Sequence, residues 1–550
     1  MIKRLATLLL AAAPFCAGLT GCMTDSDDLA GMATKPDGSD DGKYDASALA
    51  VFVDFEFDGQ MITSSSWGPE DQIQDQLLYT IGQLNGANSV GRLDTMTLSN
   101  VKTAANPGGG TLITYHAKLP VAWGNKDSVP STFTLKLPKD QRSTAVDAFV
   151  TKYKSKCAEA GAHDVDAGSL WYYFRPSRSG CTFTADEVVT TTASVTVSTI
   201  NTTGKFPEYD KVWADNALEV VAVFGKYEDG ATTAADAGID AYNDFVAKSK
   251  TALAALGTVT STPATIPSAP GVANPDVELR ATLPNGRTVH VVAMLTDNIT
   301  RGLSESAFRA RYEALSTRAD LIAYNGHAGL GQNIRALARN GKWVKGQYLI
   351  MFQNGCDTFA YVDSALNDAH SAVNTDDPNG TKYLDIVNNG MPAFFANMSA
   401  STLTLVKALA AYDEPKTYEQ IFRGIDKSQV VLVTGEQDNT FTPGGGGTVP
   451  PTGWAGMNES GSVAKSKTVK FTTPVLAAGT YVFDMTGDND ADLYIRRGKA
   501  PTQTTYDCRP YKTGSNESCE VTIDQPTAVY VMVRGYGPGT TKFALTGKPQ

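Results

Sequence analysis

Two short motifs hold the residues best suited to chemistry. Asn325-Gly326-His327-Ala328-Gly329 follows the apolar run Leu321-Ile322-Ala323-Tyr324, and Gln353-Asn354-Gly355-Cys356-Asp357 follows Leu349-Ile350-Met351-Phe352. An imidazole beside a thiol is the pairing that nucleophilic catalysis wants. A thiol with a pKa near 8.5 is barely ionised at neutral pH, and a neighbouring imidazolium brings it down to about 7.5 or lower. The thiolate then attacks a peptide carbonyl, and His327 delivers the proton that the leaving amine needs. Backbone N–H groups at Cys356, Gly326, Ala328, Gly329 and Gly355 are candidates for an oxyanion hole, a device worth roughly 3 kcal/mol per donor.

Cysteine arithmetic singles out the same thiol. Of seven cysteines, Cys16 lies in an apolar leader and Cys22 is the first residue after it. Cys157 with Cys181 and Cys508 with Cys519 form two plausible disulfides for an oxidising compartment. Cys356 is left alone. A free thiol outside the cytosol is exposed to oxidation, so it is either a buried small hydrophobe or a working nucleophile.

To face each other, His327 and Cys356 must leave neighbouring strands at the same edge. The pattern from residue 211 to 437 predicts this. Val220-Val221-Ala222-Val223-Phe224 reads as a buried parallel strand, and a long helix follows over 234–256. Residues 257–274, rich in Thr, Ser, Pro and Ala, read as a flexible insertion and a candidate self-cleavage site. A hairpin spans 279–296, a helix 305–316, and buried strands are expected at 321–324, 348–352, 393–396 and 430–434. Alternating strands and helices imply a mainly parallel α/β sheet, and ligands in such sheets sit beyond the strand carboxyl ends.

A strand ending in Gly-His, then a later strand ending in a small residue and Cys, resembles the caspase-like cysteine peptidases, including gingipains, clostripain and separase. Met391-Pro392-Ala393-Phe394-Phe395-Ala396-Asn397-Met398 looks like that family's strand after the nucleophile. Thr402 to Arg423 looks like its following helices and Val430-Val431-Leu432-Val433-Thr434 like its closing strand. The resemblance implies an endopeptidase that needs no cofactor, with His327 and Cys356 as its dyad and proteins or peptides as substrates. Ala328 and Gly355 depart from the family's usual residues, and a methyl at 328 is placed to crowd an oxyanion hole. The rival expectation is a surface-binding lipoprotein that keeps the fold without the activity.

The remaining regions frame this domain. Residues 48–210 read as an α+β domain of unknown role: a strand at 51–57, helices at 69–84 and 139–160, and strands at 111–121, 131–137, 170–174 and 188–200. Residues 438–452, with Gly444 to Gly447 in a row, are a linker. In 453–550, Asp488-Asn489-Asp490-Ala491-Asp492-Leu493-Tyr494-Ile495 and Tyr506-Asp507-Cys508-Arg509-Pro510-Tyr511 closely resemble the bacterial pre-peptidase C-terminal domain, which implies a small β-sandwich. Asp488, Asp490 and Asp492 are either a calcium-binding cluster or a solvated acidic turn.

At the N-terminus, Lys3, Arg4 and the apolar run 5–16 read as a signal peptide over 1–21. The run is too short to span a bilayer, which takes roughly 20 apolar residues. Leu19-Thr20-Gly21-Cys22 resembles the lipobox of bacterial lipoproteins, which implies acyl chains on Cys22 and a tether over 22–47. The expected location is the cell envelope, held by lipid. Formal net charge is −11 without long charged blocks, so nothing predicts a nucleic-acid partner. His116, His163, His290 and His370 show no metal-binding spacing.

Overall fold

A computed structural model describes residues 45–162, 165–436, 439, 441–442, 454, 456–476, 479–523 and 527–549. The expected signal peptide, Cys22, His163, nearly all of the tether and most of the linker lie outside the described residues. The chain divides into two compact units, one up to Thr440 and one from Phe441.

The first unit contains two sheets. Strand β1 (Ala46–Ser47) belongs to the second of them. Strands β2 (Val51–Thr63), β3 (Ser89–Gly91), β4 (Thr97–Ala105), β5 (Thr111–Trp123), β6 (Thr132–Pro138) and β7 (Val188–Val197) form the first. Its order is β3-β5-β2-β7-β6, with β4 also on β5, and all neighbours run antiparallel. Strand β2 pairs with β5 from Val51–Trp123 to Thr63–Thr111, burying Phe55, Phe57 and Met61 while Asp58 faces solvent. This is the period-2 alternation of a one-sided sheet. Ile73, Leu77, Ile81 and Leu84, from the helices Pro69–Leu77 and Tyr79–Asn85, share its core.

Residues Leu170–Tyr173 are helical, where a strand was expected at 170–174. Four consecutive apolar residues have no period that separates the two. Packing decides it: the indole of Trp171 donates to the Gly168 carbonyl, and Gly82 lies so close that a Cβ would sit 2.5 Å from the Trp171 carbonyl oxygen. The Cys157–Cys181 disulfide brackets this turn.

The second sheet has nine strands: β1, β8 (Ala217–Gly225), β9 (Thr258–Thr262), β10 (Asp276–Thr282), β11 (Thr288–Thr296), β12 (Leu321–Asn325), β13 (Leu349–Asn354), β14 (Leu384–Asn389) and β15 (Val431–Gly435). The order is β1-β15-β14-β13-β12-β8-β11-β10-β9. Its five middle strands, β14 to β11, are parallel, and both flanks are antiparallel. Strand β8 comes first in the chain among the five yet lies between β11 and β12. The winding therefore reverses at β8, where open sheets form their ligand crevice.

Two sequence expectations give way here. The stretch 257–274 is not a structureless insertion: β9 extends the sheet on β10, and the Gly271 amide is held by Asn243 Oδ1 at 2.8 Å. The strand expected at 393–396 is β14 instead, and Phe395–Ala410 is a helix. Asp385, Asn388 and Asn389 hid β14 by interrupting its apolar run, although all three are fully buried. The two sheets also share packing. Ala328, Phe359, Ala360, Tyr361, Val430 and Leu432 join the core of the first sheet, and Phe52 meets the Phe359 ring edge-on at 5.9 Å. The expected boundary at 210 therefore cuts across the core of the first sheet, and β1 before it already belongs to the second sheet.

The second unit contains β16 (Met457–Ala464), β17 (Thr468–Leu476), β18 (Gly479–Gly487), β19 (Ala491–Arg497), β20 (Glu517–Ile523), β21 (Thr527–Gly535) and β22 (Thr540–Pro549). They form antiparallel sheets ordered β16-β22-β18-β20 and β17-β21-β19. Phe483, Leu493, Val531 and Leu545 from both sheets meet in one core, which makes the unit a β-sandwich. Cys508–Cys519 is a disulfide.

Candidate active site

Strands β12, β13 and β14 each end in Asn followed by Gly, and the three asparagines are fully buried. They are linked laterally. Asn354 Nδ2 donates to Asn325 Oδ1 at 2.8 Å, and Asn389 Nδ2 donates to Asn354 Oδ1 at 2.9 Å. Thr402 and Gln429 donate to the same acceptors. Asn354 is bonded through both ends of its amide, while Asn325 Nδ2 and Asn389 Oδ1 have no partner. The lateral bonds fix geometry, since breaking one strands its partners. The loops carrying His327 and Cys356 thus spring from a locked edge. Asn325 pairs with Asn354 in register, so His327 and Cys356 stand at equal offsets, two residues beyond adjacent strands.

Glycine permits the two loops to touch. A Cβ on Gly355 would lie 2.8 Å from the Gly326 carbonyl oxygen and 3.3 Å from the Ala328 nitrogen. A side chain in place of Gly355 does not fit this backbone. The Ala328 methyl is packed in the shared core. Of the amides expected to line an oxyanion hole, Gly326 donates to Asn354 and Gly355 to Gln353. The Cys356 and Ala328 amides carry no hydrogen bond among the described residues. Beyond them the backbone is strained: Leu330 has φ +52° and Asp357 φ +50°, values that cost a side chain of order 1–3 kcal/mol.

His327 is exposed, and its Nε2 lies 3.0 Å from the Tyr227 carbonyl. A carbonyl only accepts, so Nε2 carries the proton and Nδ1 of the neutral ring is the basic nitrogen. The Tyr227 ring lies 5.3 Å from the imidazole and that of Phe395 5.0 Å. Tyr227 is itself placed by Asp236, whose carboxylate accepts from the Tyr227 and Glu228 amides while capping the helix Ala237–Ala254.

Cys356 is the one unpaired cysteine among the described residues and is partly exposed. Its Sγ points to the Ala393 carbonyl at 3.7 Å. Thiol and imidazole therefore flank the same segment, Ala393 to Phe395, but each has another partner and no hydrogen bond joins them. Burial, then the neighbouring Asp357, pushes the thiol up to about 11, against the smaller opposing pull of the Ala393 backbone and Tyr172. The acidified thiol expected from sequence is not what this conformation holds.

Asp357 was missed in the sequence. It is fully buried, and neither carboxylate oxygen has a hydrogen-bond partner. Burial raises its carboxyl to about 7, while the polar ends of Tyr172 and Asn85, close by but outside hydrogen-bonding geometry, pull the other way. Both of those residues belong to the first-sheet region, which therefore closes over the floor of the site.

The other candidates lie apart. Asp488 accepts from the Lys542 amide, Asp490 from the Gly514 amide, and Asp492 from Arg509. Among the described residues no three His, Cys, Asp or Glu side chains are grouped to hold a metal ion, and no helix is long and apolar enough to cross a membrane. Buried His290 lies between Glu219 and Glu278, and buried His370 against Trp343.

Comparison with known proteins bears on the second unit. Residues 461–535 match the bacterial pre-peptidase C-terminal domain. The neutral protease of Vibrio proteolyticus is 44% identical over 64 residues, 12% of this chain and 10% of that protein. Xanthomonalisin of Xanthomonas sp. is 53% identical over 47 residues, 8% of this chain and 6% of that protein. The solution structure of vEP C-ter 100 is 38% identical, covering 15% of this chain and 83% of that one, with a TM-score of 0.14. The chain thus spans about a tenth or less of those two proteases, and its second unit carries a pre-peptidase C-terminal domain.

Proposed function

We propose that the first unit is a cysteine peptidase of the caspase and gingipain type, and that the chain is an exported, lipid-anchored envelope protein. The observation that carries the reading is the placement of an unpaired sulfur and an imidazole at equal offsets beyond adjacent parallel strands, beside the sheet's switch point. Cys356 is the nucleophile. His327, oriented by the Tyr227 carbonyl, takes the thiol proton on Nδ1 and returns it to the leaving amine. The Cys356 and Ala328 amides receive the oxyanion. Export is supported by the named relatives of the second unit, which include an extracellular protease of Xanthomonas campestris.

In the conformation described the thiol is neutral and turned to Ala393, so catalysis requires Sγ to exchange that carbonyl for Nδ1. A polypeptide substrate seated along Ala393–Phe395 would drive this exchange. The test is cleavage of a peptide library by wild type and Cys356→Ala: products that vanish in the variant support the reading. A second reading, a surface-binding protein with an inactive peptidase fold, is favoured by the raised thiol and the unformed Cys–His bond. Under it neither protein produces cleavage.

A further inference from the structure

The opposite end of the nine-stranded sheet holds a second set of buried reactive groups. Lys205 Nζ lies 2.6 Å from Asp385 Oδ1, and both side chains are wholly buried. Two ions taken out of water cost several kcal/mol each, which only good geometry and further hydrogen bonds recover. The geometry here is not that of a hydrogen-bonded ion pair: despite the short contact, Asp385 Oδ1 has no hydrogen-bond partner. The hydrogen bond of Nζ goes to the Glu436 backbone carbonyl at 2.8 Å. The other carboxylate oxygen, Oδ2, accepts from the Tyr348 and Tyr418 hydroxyls at 2.6 and 2.7 Å. Glu436 is also fully buried. Its Oε2 accepts from Asn439, and its Oε1 has no partner. Burial, then the nearby Asp385, raises the Glu436 carboxyl, and the neighbouring Glu208 carboxyl is raised by burial too, so the two acids together hold a proton at neutral pH.

An amine, a carboxyl group with one oxygen held by two hydroxyl donors, and a protonated acid, all buried, are the parts of an amide-forming site. We propose that Lys205 and Asp385 condense into an isopeptide bond that ties the segment after β7 to the start of β14. Nζ attacks Cγ, and the developing charge settles on Oδ2, where Tyr348 and Tyr418 already donate. The Nζ–Cγ bond forms, the Cγ–Oδ1 bond breaks, and Oδ1 leaves as water. Both protons of that water come from the lysine ammonium, relayed by the Glu436 carboxyl. Nothing is oxidised or reduced. Fixed placement supplies what a free amine and acid lack, since oriented neighbours react as if at effective concentrations of about 10⁵ M or more. The product replaces two buried charges with one neutral amide.

Mass spectrometry of the purified full chain, denatured, reduced and alkylated, tests this. Wild type is expected to be lighter by one water than its sequence requires, read against a Lys205→Arg protein made in parallel. Its proteolytic digest is expected to contain a branched peptide joining Lys205 to Asp385. Glu436→Gln is expected to leave most of the chain unlinked. The full mass with separate Lys205 and Asp385 peptides overturns the proposal, as does a water loss that maps to another residue. If Lys205→Arg does not fold, the wild-type digest alone decides.

Discussion

The two ends of the nine-stranded sheet bury a carboxylate each and treat it differently. At the amino end of β14, Asp385 is met by Lys205 and by two tyrosine hydroxyls on one oxygen. At the carboxyl end of β13, Asp357 is as deeply buried, with neither oxygen hydrogen-bonded, in a left-handed backbone next to a free thiol. Buried polar groups are nearly always paired, yet both ends keep oxygens without a hydrogen-bond partner, Asp357 at one and Asp385 Oδ1 with Glu436 Oε1 at the other. The left-handed backbone at Asp357 belongs to the carboxyl end. The amino end is assembled in the resting structure. The carboxyl end is not: its thiol and imidazole each engage a different backbone carbonyl and share no hydrogen bond.

If that contrast is functional, the largest effect lies at the carboxyl end. Cys356→Ala is expected to lower cleavage of a chosen peptide by about 10⁴-fold or more, and His327→Ala by about 10²–10⁴-fold. Equal activity in wild type and both variants would break the comparison. Next comes reactivity without substrate. With the thiol held up to about 11, iodoacetamide labelling of Cys356 should rise about tenfold per pH unit from 7 to 10. A plateau by pH 9 would mean that the thiol is not raised as described.

Stability supplies the smaller tests. The Asp357 carboxyl is raised from 3.8 to about 7, so the folded state keeps a proton that the unfolded chain loses. The stabilisation from this group is fully present below about 4 and is lost as pH rises through about 7, by up to about 4 kcal/mol. Asp357→Asn should therefore be more stable than wild type in urea at pH 8 and no more stable at pH 4. Gly355→Ala is expected to cost about 1–3 kcal/mol, because its Cβ meets the Gly326 carbonyl. Asp236→Ala removes a helix cap worth about 1 kcal/mol and frees the Tyr227 carbonyl. Its loss of cleavage should exceed what that destabilisation explains, and a loss that merely tracks unfolding would count against Tyr227 as an orienting group.

Much of this site was legible in the sequence. The runs before Asn325 and Asn354 are short and wholly apolar, so their strand character and parallel placement follow from pattern. Cysteine arithmetic isolated Cys356 and paired the other four as the structure has them. What escaped was held by polar contacts between distant segments. Strand β14 was hidden by Asp385, Asn388 and Asn389, whose partners lie on other strands and helices. Asp357 and the Tyr227 carbonyl gave no signal, because their roles depend on which loop closes over which. One signal was present and unread: Asn-Gly recurs after the apolar runs at 325, 354 and 389, marking the locked edge from which both candidate residues project.

Peptides bearing a thiol-reactive ketone at their C-terminus probe that edge most directly, because such a reagent is attacked at speed only when sulfur, imidazole and oxyanion donors come together around a seated chain. With a library of them, the account predicts rapid, saturable labelling of Cys356 that slows by at least about 10²-fold in His327→Ala. Labelling no faster than that by iodoacetamide, or unchanged when His327 is removed, would contradict it.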